Sequence, residues 1–87
     1  MAEFLVELYM ARGDGDALAL EGERARRAAQ TATRSGAPVR FVRSFFVPED
    51  ETCFLVFEAA SAEDVRAAAL LAGLRFEHVA ELFGESW

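Results

Sequence analysis

Six side chains in this sequence carry chemistry that a fold could put to use: Glu7, Tyr9, Arg43, Glu58, His78 and Cys53. A carboxylate, a phenol, a guanidinium and an imidazole around one pocket can bind an acidic or phenolic small molecule, or move a proton. Glu7, Tyr9 and Arg43 suit such an organic ligand. His78, Glu58 and Cys53 offer the imidazole, carboxylate and thiolate donors that divalent transition metals take. None of the six belongs to a signature spacing, since the chain has no CxxC, HExxH or GxSxG, so any site depends on the fold that gathers them. Each also has a plainer role. Glu7 with Arg43 makes an ordinary cross-strand ion pair, and His78, the only histidine, fits a packed or surface position. Cys53 lies in an apolar run and reads as a buried thiol, because reactive thiols need an electropositive, partly exposed setting.

The elements that would position these groups follow from periodicity. Arg40 to Glu58, RFVRSFFVPEDETCFLVFE, reads as two strands joined by a short acidic turn, with Pro48 early in the turn and Phe and Val on both flanks. Its alternation is broken, for Phe45 and Phe46 are adjacent and Phe54 to Phe57 has no polar residue. Such strands need cover on both faces. Glu3 to Met10 alternates as a first strand, with Phe4, Val6, Leu8 and Met10 inward and Glu3, Leu5, Glu7 and Tyr9 outward. Asp16 is placed as an N-cap for a helix running to Ser35, with Leu20, Ala25, Ala28, Ala29 and Ala32 on its core stripe and Gly36 and Pro38 ending it. Ser61 with Asp64 resembles a capping box, opening a second helix that ends near Ala72 and Gly73, with Leu70 and Leu71 widening its apolar arc. Phe76 to Phe83 is the last strand, with Phe76, His78, Ala80 and Leu82 on one face and Glu77 and Glu81 on the other, wet one. Strand, helix, strand, strand, helix, strand is the ferredoxin-like βαββαβ order: an α+β domain with a four-stranded antiparallel sheet and both helices on one face.

The opposite face of that sheet is then open and partly apolar, with Leu5, Tyr9, Phe45 and Val56 or their neighbours upon it. Two sheets packed face to face would cover it, so the expectation is a homodimer through the sheet. At 87 residues the chain is a single domain, residues 1–87, with a modest core, which favours association further. A formal net charge of −6 and the lack of a basic face with interleaved aromatics argue against nucleic acid and against anionic membranes. No apolar run approaches a bilayer span, and MAEFLVEL carries acids where a secretion signal carries Lys or Arg; the expected compartment is the cytoplasm. The turn Glu49, Asp50, Glu51 reads as a solvated charged turn with some capacity for weak cation binding, and the RGD triplet at Arg12 to Asp14 as a loop.

The stretch VRSFFVPEDETCFLVFEA, followed by SAEDVRAAALLAGL and a closing strand, resembles a family of small bacterial ferredoxin-like proteins classed as a domain of unknown function. An actinobacterial member of that family is described as nickel-binding. The resemblance spans nearly the whole chain and is most specific at Ser44 to Cys53 and at the helix-ending Ala72, Gly73 and Leu74. It implies a ferredoxin-like fold, an intertwined homodimer and nickel as the metal. Many members carry a histidine in the second helix after an I/V-R pair, where this chain has Val65, Arg66, Ala67 and Ala68. With one His and one Cys per chain, metal binding would then rest on two His78 side chains meeting across a dimer, or on His78 with Glu7 or Glu58. The resulting reading is a small dimeric binding protein for a divalent metal or a small ligand. The alternative, by fold analogy, is a cofactor-independent monooxygenase or cyclase acting on an aromatic or polyketide-like substrate. A third use of the fold is a docking domain that presents Trp87 to a partner.

Overall fold

Alternation and capping produce the expected order of elements. The computed structural model describes residues 1–84, so Trp87 lies outside the described residues. Strand β1 is Ala2–Tyr9, helix α1 Ala17–Arg34, strand β2 Val39–Val47, strand β3 Thr52–Ala59, helix α2 Ala62–Leu71 and strand β4 Phe76–Leu82. The four strands form one antiparallel sheet in the order β2-β3-β1-β4, which makes β2 and β4 its edges.

The inward positions of the strands meet the helices. Phe4, Val6 and Leu8 of β1, Cys53, Leu55, Phe57 and Ala59 of β3, and Val79 of β4 are buried against Ala25, Ala28, Ala29 and Ala32 of α1 and Val65, Ala68 and Ala69 of α2. The helix face is built from small side chains, so α1 lies close to the sheet: a Cβ on Gly22 would stand 3.5 Å from the Ser44 hydroxyl and 3.9 Å from the Phe41 ring. Leu20, Leu70 and Leu71 were expected on the core stripes but are exposed, because the alanine rows, with Val65, already fill the space above the sheet.

Helix ends are set by local hydrogen bonds. Gly36 takes φ +98° after α1, its N–H donating to the Thr33 carbonyl and that of Ala37 to the Ala32 carbonyl, which closes a Schellman motif. Gly73, at φ +70°, repeats the arrangement after α2, and the next residue, Leu74, is buried in the core. The Ser61 hydroxyl accepts from the Asp64 N–H at 3.2 Å, as the capping pattern predicts. Asp16 departs from expectation: its backbone is already helical and its side chain caps nothing, because the turn before α1 is held by Ala17 N–H donating to Asp14 O and Leu18 N–H to Gly15 O.

Both edge strands carry one extra residue. Phe41 pairs with Phe57 and Arg43 with Val56, leaving Val42 without a partner in the ladder. Glu7 pairs with His78 and Leu8 with Phe76, which leaves Glu77 over. The second bulge corrects the expectation that Phe76 and His78 share a face. Phe76 packs on the core, while His78 turns to the opposite side of the sheet. Phe45 and Phe46 divide in the same way, Phe46 toward the core and Phe45 away from it.

Candidate functional site

The face of the sheet away from the helices can be read row by row from the register, because residues paired across antiparallel strands point the same way. One row is Val47, Thr52 and Tyr9; the next is Phe45, Phe54, Glu7 and His78. Below these come Arg43, Val56, Leu5 and Ala80, and then Arg40, Glu58, Glu3 and Leu82. The middle of the grid is apolar and half-buried, with Val56 at 6% exposure although both helices lie on the other side of the sheet. Phe45 stacks on Phe54 with centroids 4.9 Å apart, and the Arg43 guanidinium lies 5.0 Å over the Phe45 ring. A hollow of about 390 Å³ opens between Glu3, Leu5, Val42, Arg43, Phe45, Val56 and Leu82.

The sequence-derived candidates separate on this grid. Glu7 and His78 are direct cross-strand partners, the first half-buried and the second exposed; side chains so paired have Cβ atoms about 4.5–5.5 Å apart, within reach of one small ligand. Glu58 is engaged elsewhere, accepting from Arg40 Nε at 2.8 Å and Nη2 at 2.7 Å. It stands opposite Glu3, four residues along β1 from Glu7, roughly 13 Å away at about 3.3 Å per residue. Cys53 lies on the core side of β3, fully buried, so the sheet separates it from His78 and Glu58. Burial pushes its thiol up to about 11, with Glu21 adding to the effect. His78, Glu58 and Cys53 therefore do not converge within one chain. Among the described residues, no group of three or more His, Cys, Asp or Glu side chains is arranged to hold a metal ion.

The organic-ligand set is also drawn out. Arg43 is two rows from Tyr9, and its stacking on Phe45 replaces the ion pair expected with Glu7. Tyr9 is exposed, and its hydroxyl donates to Glu51 Oε2 at 3.4 Å. The neighbouring Glu51 charge, with smaller contributions from desolvation and this hydrogen bond, raises the phenol above its ordinary range. Glu51 is more than a solvated turn residue. Its Oε2 also accepts from the Arg12 N–H at 3.0 Å and its carbonyl from the Met10 N–H at 3.0 Å, so it ties the loop after β1 to the hairpin turn. It does so at φ +47°, the left-handed region that L side chains rarely adopt.

Sequence reasoning missed a second concavity. A hollow of about 570 Å³ lies between α1 and the edge strand β2, lined by Arg26, Ala29, Gln30, Thr33, Arg34, Val39, Arg40 and Phe41. Arg26 sits 5.7 Å over the Phe41 ring, and Phe41 meets Phe57 edge to face at 5.6 Å. This corrects the expectation of no arginine face interleaved with aromatics. The signal available in the sequence was its run from Arg24 to Arg43, with six of the nine cationic residues and no acid between them.

An antiparallel ferredoxin-like sheet, helices on one side and a half-buried apolar face on the other bearing a Glu–His pair, defines a class of small α+β domains. Residues 5–82 match the model of the family described as nickel responsive protein SCO4226-like, and the chain belongs to that family. Its fold is similar to that in the crystal structure of SCO4226 from Streptomyces coelicolor A3(2). The two share 22% identity at a TM-score of 0.71, over 98% of this chain and 100% of the other. No curated protein matches the sequence. No described helix is long and apolar enough to cross a membrane.

Proposed function

We propose that this protein is a homodimeric binding protein for a divalent metal, nickel being the metal its family's name suggests. Two open sheet faces close against each other, and Glu7 and His78 of each chain present donors at the seam. One chain does not fit nickel by itself, since it brings two donors to a metal that takes several in square-planar or octahedral sets. A second copy doubles the set. The single observation that carries the reading is the register itself: the only histidine stands opposite a half-buried carboxylate, beside the apolar rows of Leu5, Phe45, Phe54 and Val56. Four strands at about 4.8 Å and strand lengths of about 25 Å give a face of roughly 500 Å². Two such faces together reach the ~1,000 Å² expected of a specific interface.

Native mass spectrometry and calorimetric titration with nickel test the proposal. A dimer that takes up metal saturably, and loses it in His78→Ala, is the expected result. An unchanged titration in His78→Ala overturns the site.

A second reading, catalysis by a cofactor-independent monooxygenase or cyclase, draws support from the 390 Å³ hollow, whose apolar floor is bounded by Arg43 and Glu3. It requires the hollow to survive dimer closure. Turnover of an aromatic substrate that Arg43→Ala abolishes would favour it over metal binding.

A further inference from the structure

The hollow between α1 and β2 is independent of the sheet face and lies on the helix side of the edge strand. We propose that it is a binding site for a small planar anion, of the size and chemistry of a mononucleotide, with a ring at one end and a phosphate at the other.

The chain has a net charge of −6, yet Arg24 to Arg43 contains six arginines and no carboxylate. The fold concentrates that excess further. Arg26, Gln30 and Arg34 are spaced i, i+4, i+8 and form one ridge of α1, facing Val39, Arg40 and Phe41 across the hollow. At 1.5 Å rise per residue, the Cα atoms of Arg26 and Arg34 are about 12 Å apart, so two long guanidinium side chains bracket a space of about 570 Å³. That volume lies within the range of small-molecule sites.

The two ends differ chemically. At the Arg26 end, a guanidinium stacked over Phe41, with Ala29 and Val39 beside it, makes a flat cationic and apolar platform for a ring. At the other end, Arg34 has no carboxylate within ion-pair distance among the described residues, so its donors are open to an anion. Arg26 also holds Glu23, a pair formed between exposed side chains, while the Arg40 guanidinium is turned to Glu58 on the other face of the sheet. A guanidinium has five N–H donors, and one carboxylate leaves some of them unused. Arg34 lies in the last turn of α1, where the helix dipole disfavours an anion modestly. The Schellman hydrogen bonds already engage the Ala32 and Thr33 carbonyls there, and a hydrogen bond between charged groups is stronger than this end-of-helix effect, so the arginine outweighs the dipole.

The decisive experiment is an amide-resolved NMR titration of the full chain at low salt with adenosine monophosphate, adenosine, inorganic phosphate and a short oligothymidylate as probes. The monophosphate should produce saturable shifts confined to residues 26–41, with adenosine and phosphate each at least tenfold weaker. Arg34→Gln should weaken the monophosphate at least tenfold with an otherwise unchanged spectrum, and Arg26→Gln should weaken adenosine as well. The proposal fails if the monophosphate gives no saturable shifts at millimolar concentration, or shifts another face. Equal affinity in Arg34→Gln also overturns it, and tighter binding of the oligothymidylate would replace the small anion with single-stranded nucleic acid.

Discussion

Glu7 and His78 stand opposite each other on neighbouring strands, on the face of the sheet that the helices leave open. The bulge at Glu77 is what puts them there, because it turns Phe76 inward and His78 outward within three residues. Deleting Glu77 would remove the bulge and leave Phe76 and His78 as neighbours on opposite faces by simple alternation, so it is the extra residue, and not the order of the two, that breaks the period of two. The pairing should be measurable through metal affinity: Glu7→Gln is expected to weaken nickel binding at least tenfold, about 1.4 kcal/mol, by calorimetry. Equal affinity in that variant would remove Glu7 from the donor set.

Cys53 should take no part in that binding. It lies behind the sheet with its thiol pushed up to about 11, so Cys53→Ala is expected to leave nickel stoichiometry unchanged. A thiol reagent at pH 8 should label it only in denaturant. The folded chain holds this proton more tightly than the unfolded chain, so between the ordinary thiol value of 9.0 and about 11 the unfolded state binds fewer protons, and stability falls as pH rises. Denaturant melts across that window should show the fall in the parent chain and a smaller one in Cys53→Ala.

Phe54 lies at the centre of the open face, stacked on Phe45. Phe54→Ser should weaken the proposed dimer at least tenfold in sedimentation velocity while the monomer stays folded. Phe46→Ser, by contrast, alters a side chain packed on the core and should lower stability without selectively shifting association. An intact dimer in Phe54→Ser would show that the sheet faces do not meet.

Glu51 combines a strained backbone with three accepted hydrogen bonds: its carboxylate takes the Tyr9 hydroxyl and the Arg12 N–H, and its carbonyl takes the Met10 N–H. Glu51→Ala and Glu51→Gly both remove the carboxylate, but only glycine relieves the left-handed conformation, worth about 1 kcal/mol. Chemical denaturation should find the glycine variant the more stable of the two. The reverse order would mean that the φ of +47° is not maintained in solution.

Thr33 fastens the end of α1 to the edge strand, its hydroxyl donating to the Val39 carbonyl and accepting from the Val39 N–H, both at 3.0 Å. Thr33→Val keeps the shape and removes both bonds, for an expected loss of about 1–2 kcal/mol in a denaturant melt.

How much of this was legible in the sequence can be judged residue by residue. The period of two in β1 placed Glu7 and Tyr9 outward correctly, because every second residue there is large and apolar. The same rule failed in β4, where one unpaired residue reverses the face of everything before it and leaves no mark in composition. It also left open which of Phe45 and Phe46 faces outward, a matter settled by the bulge at Val42 and the pairing with β3. Leu20, Leu70 and Leu71 misled because hydrophobicity was weighed without volume, and a sheet already filled by aromatic and branched side chains takes mostly small residues above it, Ala25, Ala28, Ala29, Ala32, Ala68 and Ala69 with Val65 among them. The arginine hollow joins residues 26, 34 and 40 through a helix and a turn, so its lining exists only once α1 lies against β2. Its charge, the acid-free run, was already present in one dimension.

The two unpaired residues, Val42 and Glu77, fall on the outermost strands of the sheet. An edge ladder interrupted in this way is a poor template for another strand. Growth by edge-to-edge addition, which has no natural end and leads to fibres, is therefore obstructed on both sides of the molecule. What remains for the proposed self-association is the broad face, where a two-fold pair would exhaust the available surface and assembly would stop at two.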